Sequence, residues 1–168
     1  MSKRNIVLIG MPGAGKSTVG SLLSKAIGMP FIDTDQLIRL QEGCQLQKII
    51  DEHGLKEFLR IEEEKILSLN VEGHVIATGG SVVYSKKAMR HLKPHGTFIF
   101  LNTKMYQLER RLKNASTRGI AMKDGQNLEA LYYERFPLYK RYADVEIDCS
   151  QKHIEVIVAE IISKLQHY

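Results

Sequence analysis

Apolar residues along this chain fall into five short runs, and between the runs they recur every three or four positions. The runs lie at 5–9, around 31–33, 74–78, 97–101 and 145–148. Asn5-Ile6-Val7-Leu8-Ile9 shows their character: continuous and rich in β-branched side chains, as in a strand covered on both faces. The intervening spacing predicts helices at about 16–27, 35–42, 46–69 with a break near Gly54, 86–92, 104–113, 127–142 and 152–166. In the first of these, Val19, Leu22, Leu23, Ala26 and Ile27 trace one face, and Gly28 with Pro30 ends the helix. Strand-helix alternation of this kind predicts an α/β fold, a five-stranded parallel sheet flanked by helices in three layers. Right-handed crossovers bring its loops to the carboxyl edge of the sheet. No repeat, low-complexity tract or linker divides the chain, so residues 1–168 read as one domain. The polar stretch 114–127, with Gly119 and Gly125, interrupts the alternation and reads as a mobile lid.

The first strand-helix junction carries the strongest chemical signal. Gly10, Gly15, Lys16 and Ser17 stand in the spacing G-x-x-x-x-G-K-S, the phosphate-binding loop of P-loop nucleotide-binding proteins. Glycines at 10, 13 and 15 let the loop, with Ala14 inside it, curl so that consecutive backbone N–H groups meet phosphate oxygens. Lys16 supplies a full charge to the β- and γ-phosphates, Ser17 is placed to ligate Mg²⁺, and Thr18 opens a helix whose N-terminus favours anions. ATP and Mg²⁺ are the expected cofactors.

A second signal is Phe31-Ile32-Asp33-Thr34-Asp35. Two carboxylates at the end of a short strand would sit at the ligand-binding edge, one for Mg²⁺ and one for a substrate hydroxyl. The same pair would also serve as a strand end and a helix cap.

Composition narrows the partners. With 43% apolar and 26% charged residues the chain has an ordinary globular mix. No apolar stretch approaches the roughly 20 residues of a membrane span, and no secretory signal opens the sequence, so a cytoplasmic protein is expected. Cys44 and Cys149 are too few and too distant for a disulfide framework or zinc site. The six histidines show no metal-binding spacing. A net charge of +5 suits anionic nucleotides and acidic metabolites. Its basic residues are dispersed and lack an aromatic-basic platform, which argues against nucleic acid. Without heptads or a long apolar edge, a monomer is expected. The run Glu62-Glu63-Glu64-Lys65 reads as a solvated helix face, with Ile61, Ile66 and Leu67 turned inward.

Taken together in order, Gly10 to Ser17, Phe31 to Asp35, Thr78-Gly79-Gly80, Arg118 and Glu134-Arg135-Phe136-Pro137-Leu138-Tyr139 resemble shikimate kinase nearly end to end. The resemblance implies the nucleoside-monophosphate-kinase fold and ATP-dependent phosphorylation of shikimate. It assigns Lys16 and Ser17 to ATP and Mg²⁺, Asp33 to the metal, and Asp35 to the acceptor hydroxyl. It further assigns Gly79 and Gly80 to the acceptor through backbone N–H groups, and Arg135 to a substrate carboxylate. Arg118 would neutralise the transferring phosphoryl group, and Arg111 would lie near the adenine.

Three departures from the family pattern cluster on the acceptor side. The family's F-R-x-I-E is here Phe58-Leu59-Arg60-Ile61-Glu62, which puts Leu59 where the family has a carboxylate-binding arginine. Losing that contact in the family's pose would cost on the order of 2 to 3 kcal/mol. Ser81 replaces the third glycine of a triplet and narrows the acceptor pocket. Gly119 follows Arg118 where the family has proline, which loosens the lid. Besides shikimate phosphorylation, two other functions fit these residues: a kinase of the same fold for another small hydroxylated acceptor (a sugar acid, polyol or hydroxy amino acid), and a nucleotide-binding protein without efficient transfer.

Overall fold

The computed structural model describes residues 3–113 and 119–168. Five strands, β1 (Asn5–Ile9), β2 (Phe31–Asp33), β3 (Val75–Ala77), β4 (Gly96–Asn102) and β5 (Val145–Asp148), pair entirely in parallel in the order β2-β3-β1-β4-β5. Such pairing needs a crossover between each strand and the next. The four crossovers are built from α1 (Lys16–Ile27), α2 (Thr34–Glu42) with α3 (Leu46–Ser68), α4 (Lys86–Leu92), and α5 (Met105–Arg111) with α6 (Leu128–Tyr142), and α7 (Ile154–Leu165) follows β5 and packs against α1. Elements match the periodicity to within a residue or two at their ends. The break at Gly54 is present as a non-helical φ of 85° and ψ of 166° inside α3.

Burial explains why the runs are continuous. Val7, Leu8, Ile9, Phe98, Ile99 and Leu101 are covered on both faces of the sheet, each fully or almost fully out of solvent. In α1 the inward face is Val19 and Leu23, whereas Leu22 stays 37% exposed at the edge of that stripe. No helix among the described residues is long and apolar enough to cross a membrane.

A smaller apolar cluster forms apart from the main core. Ile38 of α2 packs with Leu46, Ile49, Phe58 and Ile61 of α3 and with Ala121. It fixes α2 and α3 against each other beyond the carboxyl edge of the sheet, and so forms one wall of the cavity described next. The run in α3 expected to be solvated divides differently. Glu62 is buried and Leu67 is 39% exposed, while Ile61 and Ile66 do turn inward. Phe58 and Glu62 are four residues apart and therefore share the covered face of the helix.

Candidate active site

The loop between β1 and α1 opens beside the point where the sheet order reverses, the usual position of a ligand crevice in a parallel sheet. Gly10, Gly13 and Gly15 take φ values of 152°, 81° and 91°. Gly15 caps α1 with no side chain bonded to the first-turn N–H groups, which leaves those donors for an anion. Gly13, Gly15, Lys16, Ser17 and Thr18 line a cavity of about 400 Å³. Ala14 is buried behind the loop. Lys16 is folded back: its Nζ donates to the carbonyls of Gly10 at 2.6 Å and Met11 at 2.8 Å. Burial draws its pKa down to about 8, opposed by the charge of Asp35. A phosphate in the loop restores the ammonium, because an adjacent anion favours the charged form.

Asp33 ends β2 and caps α2, with Oδ1 accepting from the Gln36 N–H at 3.2 Å. Its other oxygen, Oδ2, accepts from Ser17 Oγ at 2.6 Å. The cap of the second helix is therefore Asp33, and Asp35 lies inside the first turn with its side chain on the cavity wall. Asp35 Oδ1 is sealed from solvent and has no hydrogen-bond partner among the described residues. Burial raises the pKa of Asp35, and Lys16 opposes the rise.

Opposite Asp35 the third βα loop comes very close. A Cβ built on Gly79 would stand 2.4 Å from Glu62 Oε2 and 2.7 Å from Asp35 Oδ1, so only glycine lets the two carboxylates flank this backbone. Gly79→Ala is expected to displace both carboxylates and lower turnover roughly 100-fold, with KM for ATP little changed, in steady-state assays. Turnover within about twofold of wild type would show that the approach is not needed.

Glu62 was not anticipated as a site residue. Its signal was its place four residues after Phe58 beside an apolar stripe, obscured by the charges that follow it. Its Oε1 accepts from Ser81 Oγ at 2.7 Å, and its Oε2 has no partner among the described residues. Ser81 thus spends its hydroxyl on orienting Glu62. Burial first, and the Asp35 charge second, push the pKa of Glu62 up to about 7. A raised carboxyl pKa means that the folded state holds a proton the unfolded chain releases. Its contribution to stability is complete below the ordinary value of 4.5 and is lost as pH rises through about 7. Glu62→Gln should therefore gain melting temperature relative to wild type between pH 4.5 and 7.5, on the order of 5 °C. A pH-independent difference would show that Glu62 does not titrate in this range.

Arg135 of α6 is 1% exposed and forms no ion pair among the described residues. One amino group donates to the Ala121 carbonyl at 2.6 Å, and Nε donates to Tyr84 Oη at 3.2 Å. Tyr84 in turn donates to Glu134 at 2.7 Å. The fully buried Tyr139 donates to the Gly80 carbonyl at 2.7 Å and stacks on Phe100. The Glu-Arg-x-Pro-Leu-Tyr stretch is thus a scaffold: Glu134 orients Tyr84, Tyr139 holds the Gly80 loop, and Arg135 faces the cavity.

Several expected site residues lie off the wall of the central cavity. Leu59 does not reach the central cavity. Its side chain projects from the adjacent face of α3 and lines a neighbouring apolar cavity with Leu55, Tyr84, Ala121 and Lys123. The lining residue of that stretch is Phe58. Gly10 lies behind the phosphate-facing wall, where its carbonyl holds Lys16. Arg111 is also off the wall, and donates to the Gly13 carbonyl at 2.8 Å. Gly119 has φ 67°, and a Cβ there would meet Leu46 Cβ at 2.5 Å. Proline, held near φ −65°, cannot take that backbone, so glycine here is a steric requirement as well as a source of freedom. Arg118 lies outside the described residues, as do positions 114–117 of the stretch 114–127 expected as a lid. From Gly119 onward, Ile120 and Ala121 are buried and close the cavity roof. Arg39 also lines the cavity and was not anticipated.

Comparison with known proteins agrees with this arrangement. The shikimate kinase family profile matches residues 12–166. The chain belongs to the shikimate kinase family. A shikimate kinase of Wigglesworthia glossinidia brevipalpis is 38% identical, over 98% of this chain and 98% of that protein. The solved shikimate kinase of Acinetobacter baumannii, in complex with shikimate, superposes with a TM-score of 0.89 at 27% identity, covering 98% of this chain and 94% of that one. The Aquifex aeolicus shikimate kinase gives 0.81 at 32% identity, with 96% of each chain covered. Shikimate kinases are small-molecule kinases, and in this chain the phosphate loop, Asp35 and Arg135 line a single cavity.

Proposed function

We propose that the protein transfers the γ-phosphoryl group of ATP to a hydroxyl of shikimate. One observation carries this reading: across a single cavity from the phosphate loop stand, among the described residues, an unpartnered carboxylate oxygen, on Asp35, and a buried arginine without a carboxylate partner, Arg135. The first suits a hydroxyl donor and the second a carboxylate, the two polar ends of a hydroxy acid.

In the proposed sequence, Gly13 to Thr18 cradle the phosphates and Lys16 leaves the Gly10 and Met11 carbonyls for the β,γ-oxygens. Asp35 accepts the hydrogen bond of the attacking hydroxyl. The acceptor oxygen bonds to the γ-phosphorus as the bridging P–O bond breaks; ADP leaves with that electron pair, and the hydroxyl proton passes to Asp35. Positioning and charge neutralisation carry most of the acceleration in such transfers. The Ser17 Oγ–Asp33 Oδ2 pair fits Mg²⁺, which takes one or two protein oxygens and completes its shell with phosphate and water. Bound there, the ion would neutralise charge on the β- and γ-phosphates.

An ADP-release assay with Mg·ATP and shikimate, beside a panel of sugar acids, polyols and hydroxy amino acids, tests the proposal. Turnover on shikimate well above the panel is the expected result. Preference for another acceptor would support the alternative kinase reading, which Leu59 motivates. ATP binding without turnover on any acceptor would leave a nucleotide-binding protein.

A further inference from the structure

Among the described residues the acceptor end of the cavity holds one deeply buried cation, Arg135, and Leu59 brings no second one. A second does stand on the wall, supplied by the facing helix. Arg39 lies in α2, one turn after Asp35. Residues four apart share a helix face and are separated by about 6 Å along the axis. Arg39 therefore lines the same cavity as Asp35, a small ring's width further toward its mouth. It is half-buried there, at the rim shared with a shallower outer depression formed with Gln36, Gly43, Cys44 and Gln45. Among the described residues its guanidinium has neither a salt-bridge nor a hydrogen-bond partner, unlike Arg60, which is held between Glu57 and Glu64. Ile38, the preceding residue, is locked into the cluster with Phe58 and Ile61, so the α2 backbone that carries Arg39 is fixed relative to the cavity.

We infer that Arg39 is a specificity-determining residue of the acceptor site, receiving the acceptor's carboxylate together with Arg135 in place of a cation on α3. This rests on the proposed shikimate reading. With its hydroxyl on Asp35, a ring acid presents its carboxylate about one ring's width away, toward Arg39 and Arg135. The charge count among the described residues agrees: Lys16 is engaged by phosphate, Arg135 shares the wall with the carboxylates of Asp35 and Glu62, and an anionic acceptor entering beside those two carboxylates needs the second positive charge. Placing that charge at the mouth also favours capture of an anion from solution.

The test compares wild type, Arg39→Gln and Arg39→Lys with shikimate and with its carboxamide analogue, measuring kcat and both KM values, with melting temperature as a check on folding. Arg39→Gln is expected to raise KM for shikimate about 10- to 100-fold, the range for a lost charge-assisted hydrogen bond. Its kcat and KM for ATP should stay within about threefold of wild type, and Arg39→Lys should recover part of the loss. For the carboxamide, KM should differ between wild type and Arg39→Gln by less than about threefold. An unchanged KM for shikimate, or equal losses on both acceptors, overturns the assignment while wild-type turnover of shikimate keeps the functional proposal standing. Absent wild-type turnover removes that proposal and this assignment with it.

Discussion

Asp35→Asn should lower kcat with shikimate by about 100-fold or more, the range for a lost acid-base group, and leave KM for ATP nearly unchanged. The asparagine is close in shape, so it would preserve packing beside Gly79 while removing the negative charge and one acceptor. Among the described residues Asp35 Oδ1 has no competing partner, so nothing in the protein occupies the carboxylate before a substrate hydroxyl arrives. Because Asp35 also raises the pKa of Lys16 and Glu62, the variant should shift both downward. The pH profile of the residual activity would report that shift. Steady-state kinetics check the main effect, and turnover unchanged by the substitution would remove Asp35 from the reaction.

The second large effect is expected at Arg135. Arg135→Gln should raise KM for shikimate by roughly 30-fold or more, since truncating one partner of a buried charge pair costs several kcal/mol. It should also lower stability by about 1 to 3 kcal/mol, because the Ala121 carbonyl loses its donor in a buried setting. Arg135→Lys keeps the charge but loses the planar fork, so it should fall between the two. Calorimetric titration with shikimate and thermal unfolding separate binding from stability. Wild-type affinity in a destabilised Arg135→Gln protein would make this arginine a structural residue only.

Much of the nucleotide end was legible along the chain. The phosphate loop is a local object: its glycines, Lys16 and Ser17 act within eight consecutive residues between a strand and a helix, so spacing alone carries the chemistry. Asp33 and Asp35 were legible for the same reason, although which one caps α2 was settled by side-chain direction. Glu62 was misread because three acidic residues in a row suggest a solvated face, yet the helix turns about 100° per residue and puts the first of them under the Gly79 loop. Leu59 was legible as a departure and misplaced in space. One residue's rotation from Phe58 carries it out of the central cavity into the neighbouring one.

The sequence by itself determined the α/β alternation, the parallel sheet and the phosphate loop, because each follows from periodicity or from contiguous backbone geometry. It also marked Arg135 and the Gly79-Gly80 turn through the family resemblance. Only the tertiary structure decided that Glu62 is buried against Ser81, that Gly119 fits against Leu46 at a backbone angle closed to proline, and that Arg39 lines the central cavity where Leu59 does not. Those outcomes depend on how α2, α3 and the segment after position 118 pack through Ile38, Phe58, Ile61 and Ala121. Contacts between residues tens of positions apart set the direction of each side chain, and no local pattern encodes them.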